Sequence, residues 1–204
     1  MFAKQTDDEL LKRAEKLQQE AMGIIDKLGI FSILKKISEP SIIGSAENGL
    51  MVWPDIDIHA YMKELDLDKV LDLLKEFALL PTIQKVQFSN FRELRRDHLK
   101  SKMRFPRGYY VGLRSVQPSG EWKVDIWFGE KGTPINDYDV LNLSSITKEQ
   151  RAAILRIKKA WLDEKGGYKD GVISIDIYKA VLEHGIIDEN NFKDYIKSNN
   201  ESPH

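Results

Sequence analysis

Asp55-Ile56-Asp57-Ile58 sets two carboxylates at alternate positions of an apolar string. Side chains alternate along a β-strand, so Asp55 and Asp57 share one face and the isoleucines the other. One strand repeat spaces their Cα atoms roughly 6.6 Å apart, within reach of a pair of Mg²⁺ ions about 3.5–4 Å apart. Nine residues separate Asp55 from Gly44-Ser45, which directly follows the apolar Ile42-Ile43. A small turn of that kind offers backbone N–H groups and a hydroxyl to a phosphate. Paired acids behind a phosphate-sized turn outline metal-assisted phosphoryl or nucleotidyl transfer.

A third acid sits in a second alternating string. Trp122, Val124, Ile126 and Phe128 form one face, and Lys123, Asp125 and Trp127 the other. An acid in so apolar a segment needs a partner or a metal.

The elements that position these residues are legible from periodicity. Thr6 to Glu9 reads as a capping box opening a helix, with Leu10, Ala14, Leu17, Ala21, Ile24 and Leu28 at helical spacing and Gly29 as the stop. Ser41 to Ile43 reads as a short strand, and Pro54 opens the Asp55 to Tyr61 strand. Leu65 to Phe77 reads as a helix. Strands over Thr82 to Ser89, Gly108 to Arg114 and Trp122 to Phe128 follow, the last two joined by Pro118-Ser119-Gly120 as a hairpin. From Asn136 the pattern turns helical: a capping box at Thr147 to Gln150, a stop at Gly166-Gly167, and caps at Ser174 and Asp188 for two short helices. Ser198 to His204 reads as a frayed tail. The expected class is α/β (α+β), a mixed sheet flanked by helices over residues 1–135, then a helical segment over 136–204.

Composition narrows the chemistry. The chain has 204 residues, 42% hydrophobic and 31% charged, which suits a globular protein. It has no cysteine, which excludes disulfides, thiolate metal sites and cysteine nucleophiles. Four scattered histidines make no zinc motif. No P-loop, dinucleotide turn or serine-nucleophile elbow is present. No leader-like or membrane-spanning apolar run is found, so the expected location is the cytoplasm. Basic and acidic residues number 31 and 32, and this balance argues against long DNA or RNA as partner.

Ile43-Gly44-Ser45, Asp55-Ile56-Asp57-Ile58 and Val124-Asp125-Ile126 together resemble the signature of the nucleotidyltransferase fold superfamily, over roughly residues 35 to 130. The resemblance implies transfer of a nucleoside monophosphate from an NTP, with ATP the expected one, to an acceptor hydroxyl, with release of pyrophosphate. It implies that Asp55 and Asp57 hold two Mg²⁺ ions, that Asp125 is the third ligand and assists deprotonation of the acceptor, and that Gly44 and Ser45 grip the β- and γ-phosphates. Small antibiotic-modifying members are the model, with a small-molecule or protein hydroxyl as acceptor. Minimal members carry a basic residue and a glycine just after Gly-Ser; here Ala46-Glu47-Asn48-Gly49 follows, with an acid near the phosphate position.

Further candidates surround this core. Arg114 and Lys123, on the hairpin strands, are expected to bind nucleotide. Arg92, Arg95, Arg96, Lys100, Lys102, Arg104 and Arg107 form a basic run that reads as a solvated loop or a triphosphate clamp. His59 reads as a surface or site-flanking residue, and Trp127 as a packed tryptophan, with stacking on a base the second reading. The alternative function is a regulatory or interaction protein that keeps the fold, such as a toxin–antitoxin partner.

Overall fold

The computed structural model describes residues 5–92, 107–132, 143, 145–165 and 172–201. The chain separates into two compact units, Leu17–Asp137 on the one hand and Met1–Lys16 with Tyr138–His204 on the other.

Residues 17–137 are built on a five-stranded sheet. In chain order its elements are α1 (Asp7–Leu28, divided between the units), α2 (Ile30–Leu34), β1 (Glu39–Ile43), α3 (Gly44–Asn48), β2 (Asp55–Met62), α4 (Leu67–Ala78), β3 (Ile83–Asn90), β4 (Tyr109–Gln117) and β5 (Gly120–Glu130). The strand order is β1-β2-β5-β4-β3. β2 and β5 pair parallel, and every other pair is antiparallel. Pro40 lies in β1, at an edge of the sheet, where a missing N–H breaks no central ladder.

One face of the sheet is dry. Ile56, Ile58 and Ala60 of β2, Val124, Ile126 and Phe128 of β5, and Val111 and Leu113 of β4 are all buried. They form one core with Ala21, Ile24 and Leu28 of α1, Ile30 and Leu34 of α2, and Val70, Leu73 and Phe77 of α4. Full burial of such side chains contributes roughly 1.5–3 kcal/mol each, which fixes the register and leaves the alternate residues on the other face. The Thr6–Glu9 box caps α1 as the sequence implies, with Thr6 N–H donating to Glu9 at 2.8 Å and Glu9 N–H to Thr6 Oγ1 at 3.3 Å. Asp66 caps α4, accepting from Lys69 N–H at 3.1 Å.

The unit of 1–16 and 138–204 contains α5 (Lys148–Lys165), α6 (Ser174–His184) and α7 (Glu189–Glu201). Thr147 and Gln150 cap α5 reciprocally, at 2.9 and 3.2 Å. Asp188 caps α7 by accepting from Asn190 and Asn191 N–H, both at 3.0 Å. Ser174, expected as a cap, is instead the first residue of α6, and Asp176 accepts from Ile173 N–H at 2.8 Å. α7 runs on to Glu201, through most of the expected tail. Trp161 and Phe192 pack edge to face, 5.5 Å apart. Lys158 is buried, its ammonium donating to the Tyr178 hydroxyl at 3.3 Å. The Gly166-Gly167 stop lies outside the described residues. Among those residues, no helix is long and apolar enough to cross a membrane.

Candidate active site

The face of the sheet opposite the core carries the candidate residues, and the strand register sorts them into three rows. The first row, from β3 to β2, is Lys85, Arg114, Lys123 and Asp55. The second is Gln87, Gly112, Asp125 and Asp57. The third is Ser89, Tyr110, Trp127 and His59. Asp57 and Asp125 are thus direct neighbours across the parallel pair, and Asp55 lies one strand repeat from Asp57.

Gly44 and Ser45 follow β1, whose last residue Ile43 is the register partner of Asp57. They form the start of the five-residue helix α3 rather than a simple turn. Gly44 has φ +69°, and a Cβ built there would lie 3.4 Å from Asp57 Oδ2. The glycine therefore serves both the left-handed backbone and the close approach of the acid. α3 is pinned from behind by Gln18 of α1, which donates to the Ala46 and Glu47 carbonyls at 2.7 and 3.0 Å. Those carbonyls belong to the helix end and have no partner within α3 itself. The Glu47 side chain is exposed.

The acids are held by specific partners. Asp125 Oδ2 forms an ion pair with the Lys123 ammonium, while its Oδ1 accepts a hydrogen bond from the Tyr110 hydroxyl at 2.8 Å. Asp55 Oδ2 accepts from Trp53 Nε1 at 3.3 Å. Asp55 Oδ1 is buried and accepts no hydrogen bond from the described residues; Lys123 Nζ stands 3.7 Å from it. Burial raises the Asp55 pKa, with Lys123 opposing and Asp125 reinforcing the shift. For Lys123, burial works to lower the pKa, but Asp55 and Asp125 outweigh it and the net shift is upward. Burial, the Asp125 charge and the bond to it push the Tyr110 phenol far up, so it stays protonated and donating.

Among the described residues, no three His, Asp or Glu side chains are drawn close enough to hold a metal ion as they stand. The Lys123 ammonium lies between Asp55 and Asp125 in that role. The donor set nonetheless fits a hard divalent cation: it is all carboxylate, and one buried carboxylate oxygen accepts no hydrogen bond from the described residues.

The remaining expectations fall as follows. Lys123 faces carboxylates rather than open space. Arg114 is half-buried, 3.9 Å from Glu121. Arg92 points its guanidinium to the Leu65 carbonyl at 3.3 Å, and Arg107 is exposed. Arg95, Arg96, Lys100, Lys102 and Arg104 lie outside the described residues. His59 is buried rather than at the surface, edge-on to Tyr61 at 5.8 Å, because β1 and β5 flank it on both sides. Trp127 is half-buried, grouped with Tyr110 and Phe91. Periodicity gave no sign of Tyr110 or Gly112, because each acts through a cross-strand neighbour, nor of Trp53, whose bond to Asp55 two residues on follows no strand or helix period.

No protein-family model matches the chain, and no curated protein matches it. Solved structures do. A cytoplasmic RNA terminal U-transferase superposes with TM-score 0.52 at 17% identity, covering 87% of this chain and 54% of its own. A GLD-2/RNP-8 complex superposes with TM-score 0.52 at 16% identity, covering 87% of this chain and 55% of its own. The chain thus spans about half the length of these structures. The balanced net charge favours a small-molecule acceptor over long nucleic acid, and that expectation is overturned by the RNA terminal U-transferase that shares this architecture. Net charge averages over the whole surface and does not report how charge is distributed on it. The chain has the nucleotidyltransferase fold.

Proposed function

We propose that this protein transfers a nucleoside monophosphate from an NTP to the 3′-hydroxyl of an RNA. The observation that carries the reading is the pairing of Asp57 with Asp125 across the parallel strands, with Asp55 one repeat away. The U-transferase among the fold neighbours supports RNA as the acceptor. Asp55, Asp57 and Asp125 would hold Mg²⁺, which when bound neutralises triphosphate charge and aligns the reacting groups. The 3′-oxygen attacks the α-phosphorus; a new P–O bond forms as the bond to the bridging oxygen breaks, and pyrophosphate leaves with the electron pair. The hydroxyl proton passes to the Asp125 carboxylate, whose orientation Tyr110 fixes. Gly44, Ser45 and Arg114 bind the triphosphate at the Asp55 end of the sheet. Lys123 stands beside Asp55 and Asp125 and offsets the repulsion between them.

The test is extension of a short labelled RNA with each NTP, ATP first, in Mg²⁺, resolved by single nucleotides with pyrophosphate counted alongside. Extension matched by stoichiometric pyrophosphate is expected. Asp57→Asn and Asp125→Asn should each lower it by on the order of 10²-fold or more while melting normally, because each removes a metal-ligand charge. Absence of extension with every NTP, or full activity in both variants, would reject the reading.

A further inference from the structure

The third row of the face opposite the core carries two adjacent rings, Tyr110 and Trp127, which a solvated sheet face does not require. Tyr110 and Trp127 are register partners with ring centroids 4.8 Å apart. Phe91, just past β3, lies 5.5 Å from Trp127 and 6.5 Å from Tyr110. All three are only half-buried, on the face opposite the core. Tyr110 is fixed: its ring lies over Gly112, where a Cβ would come 2.5 Å from its hydroxyl oxygen, and that hydroxyl is bonded to Asp125.

The rows give the face a direction. Lys85 and Arg114 stand at the Asp55 end, and α3 begins there too, so an anionic triphosphate belongs on that side. The acids come next, and the rings lie beyond them. Trp127 is one strand repeat, roughly 6.6 Å, past Asp125. A nucleoside stacked on the rings is therefore within reach of presenting its own 3′-hydroxyl at Asp125.

We infer that Trp127, Tyr110 and Phe91 form a stacking floor for the 3′-terminal nucleobase of the RNA acceptor. The inference rests on the proposed terminal transfer and adds where the acceptor's last base is held. Stacking on aromatic faces tolerates every base, so this floor would set the reach of the terminal hydroxyl without selecting sequence. The incoming NTP would use the opposite, cationic end.

The experiment measures affinity by fluorescence anisotropy, using 5′-labelled RNA with a non-extendable 3′ end, either intact or abasic at the last nucleotide. For the wild type, loss of the terminal base should weaken binding about tenfold. Trp127→Leu should weaken binding of intact RNA by a similar factor but leave abasic RNA unaffected, and Trp127→Phe should restore most of the loss. NTP affinity should not change. Equal wild-type affinity for intact and abasic RNA overturns the floor without any variant having to fold. So does a Trp127→Leu variant that loses NTP affinity instead, since the rings would then hold the incoming base. If wild type extends RNA yet shows neither effect, the floor fails and the terminal-transfer reading stands; if wild type neither binds nor extends RNA, both fail.

Discussion

Tyr110 reaches Asp125 across Gly112, donating its phenolic hydrogen to Oδ1 at 2.8 Å while Lys123 engages the acid's other oxygen. The bond aims the carboxylate, and the missing side chain at position 112 makes room for it.

Tyr110→Phe keeps the ring and removes only that bond. Turnover should fall by about tenfold, within the range seen when a partner behind a metal-binding acid is lost. The KM for RNA should hold, because the ring remains. Steady-state kinetics separate the two. A change in KM alone would mean that the hydroxyl contacts the acceptor and not only Asp125.

Gly112→Ala puts a methyl group 2.5 Å from the Tyr110 hydroxyl oxygen. Tyr110 must move or the strands must part, at a cost of about 1–3 kcal/mol for overpacking. Turnover should fall as in Tyr110→Phe, and combining the two should add little, since both act through one bond. Denaturant melts and a double-mutant cycle check this. Full additivity would show that Gly112 matters for another reason.

Asp55→Asn should stabilise the metal-free protein at neutral pH. The Asp55 pKa is raised in the fold, by burial first and by Asp125 next. The folded state thus holds the proton more tightly than the unfolded chain, and Asp55's contribution falls as pH rises above the ordinary carboxylate value of 3.8. Asparagine keeps the shape and an acceptor for Trp53 without the charge. The melting temperature at pH 7 should rise by a few degrees, and the gain should vanish below about pH 4. Melting curves across that range decide it; a variant less stable at pH 7 would show that the Lys123 pairing outweighs burial.

Gly44→Val strains a backbone at φ +69° and crowds Asp57 Oδ2. Stability should drop by about 1 kcal/mol or more. NTP affinity in Mg²⁺ should drop further, by about tenfold, as Asp57 and the start of α3 shift together. Calorimetric titration of a nucleotide against both proteins measures this. Unchanged affinity would remove Gly44 from the triphosphate site.

That Asp55 and Asp57 share a face was legible from period-two alternation, because Ile56 and Ile58 must turn inward together, whereas the joining of Asp125 to them was implied by the resemblance alone. The capping boxes at Thr6 and Thr147 were legible because they are local. α2 and α3 were not, since five residues are too few to show a helical period. Nor was the setting of Lys123, read as a phosphate contact and found between two acids, because the β2–β5 register is a tertiary fact. His59, which the sequence reads as a surface or site-flanking residue, is buried, and its own string does not reveal that strands lie on both sides of it.

The parallel pairing of β2 with β5 joins residues about seventy positions apart, with α4 and the β3–β4 pair made between them. Such a junction closes a long loop and gains its contacts only at the end. A chain caught before β5 docks has Asp55 and Asp57 on a bare strand edge and Asp125 elsewhere. It has no acid cluster to recruit a cation. A newly made or half-unfolded molecule therefore lacks the cluster, and a ligand of the acids binds the native state alone and raises its melting temperature as its concentration rises.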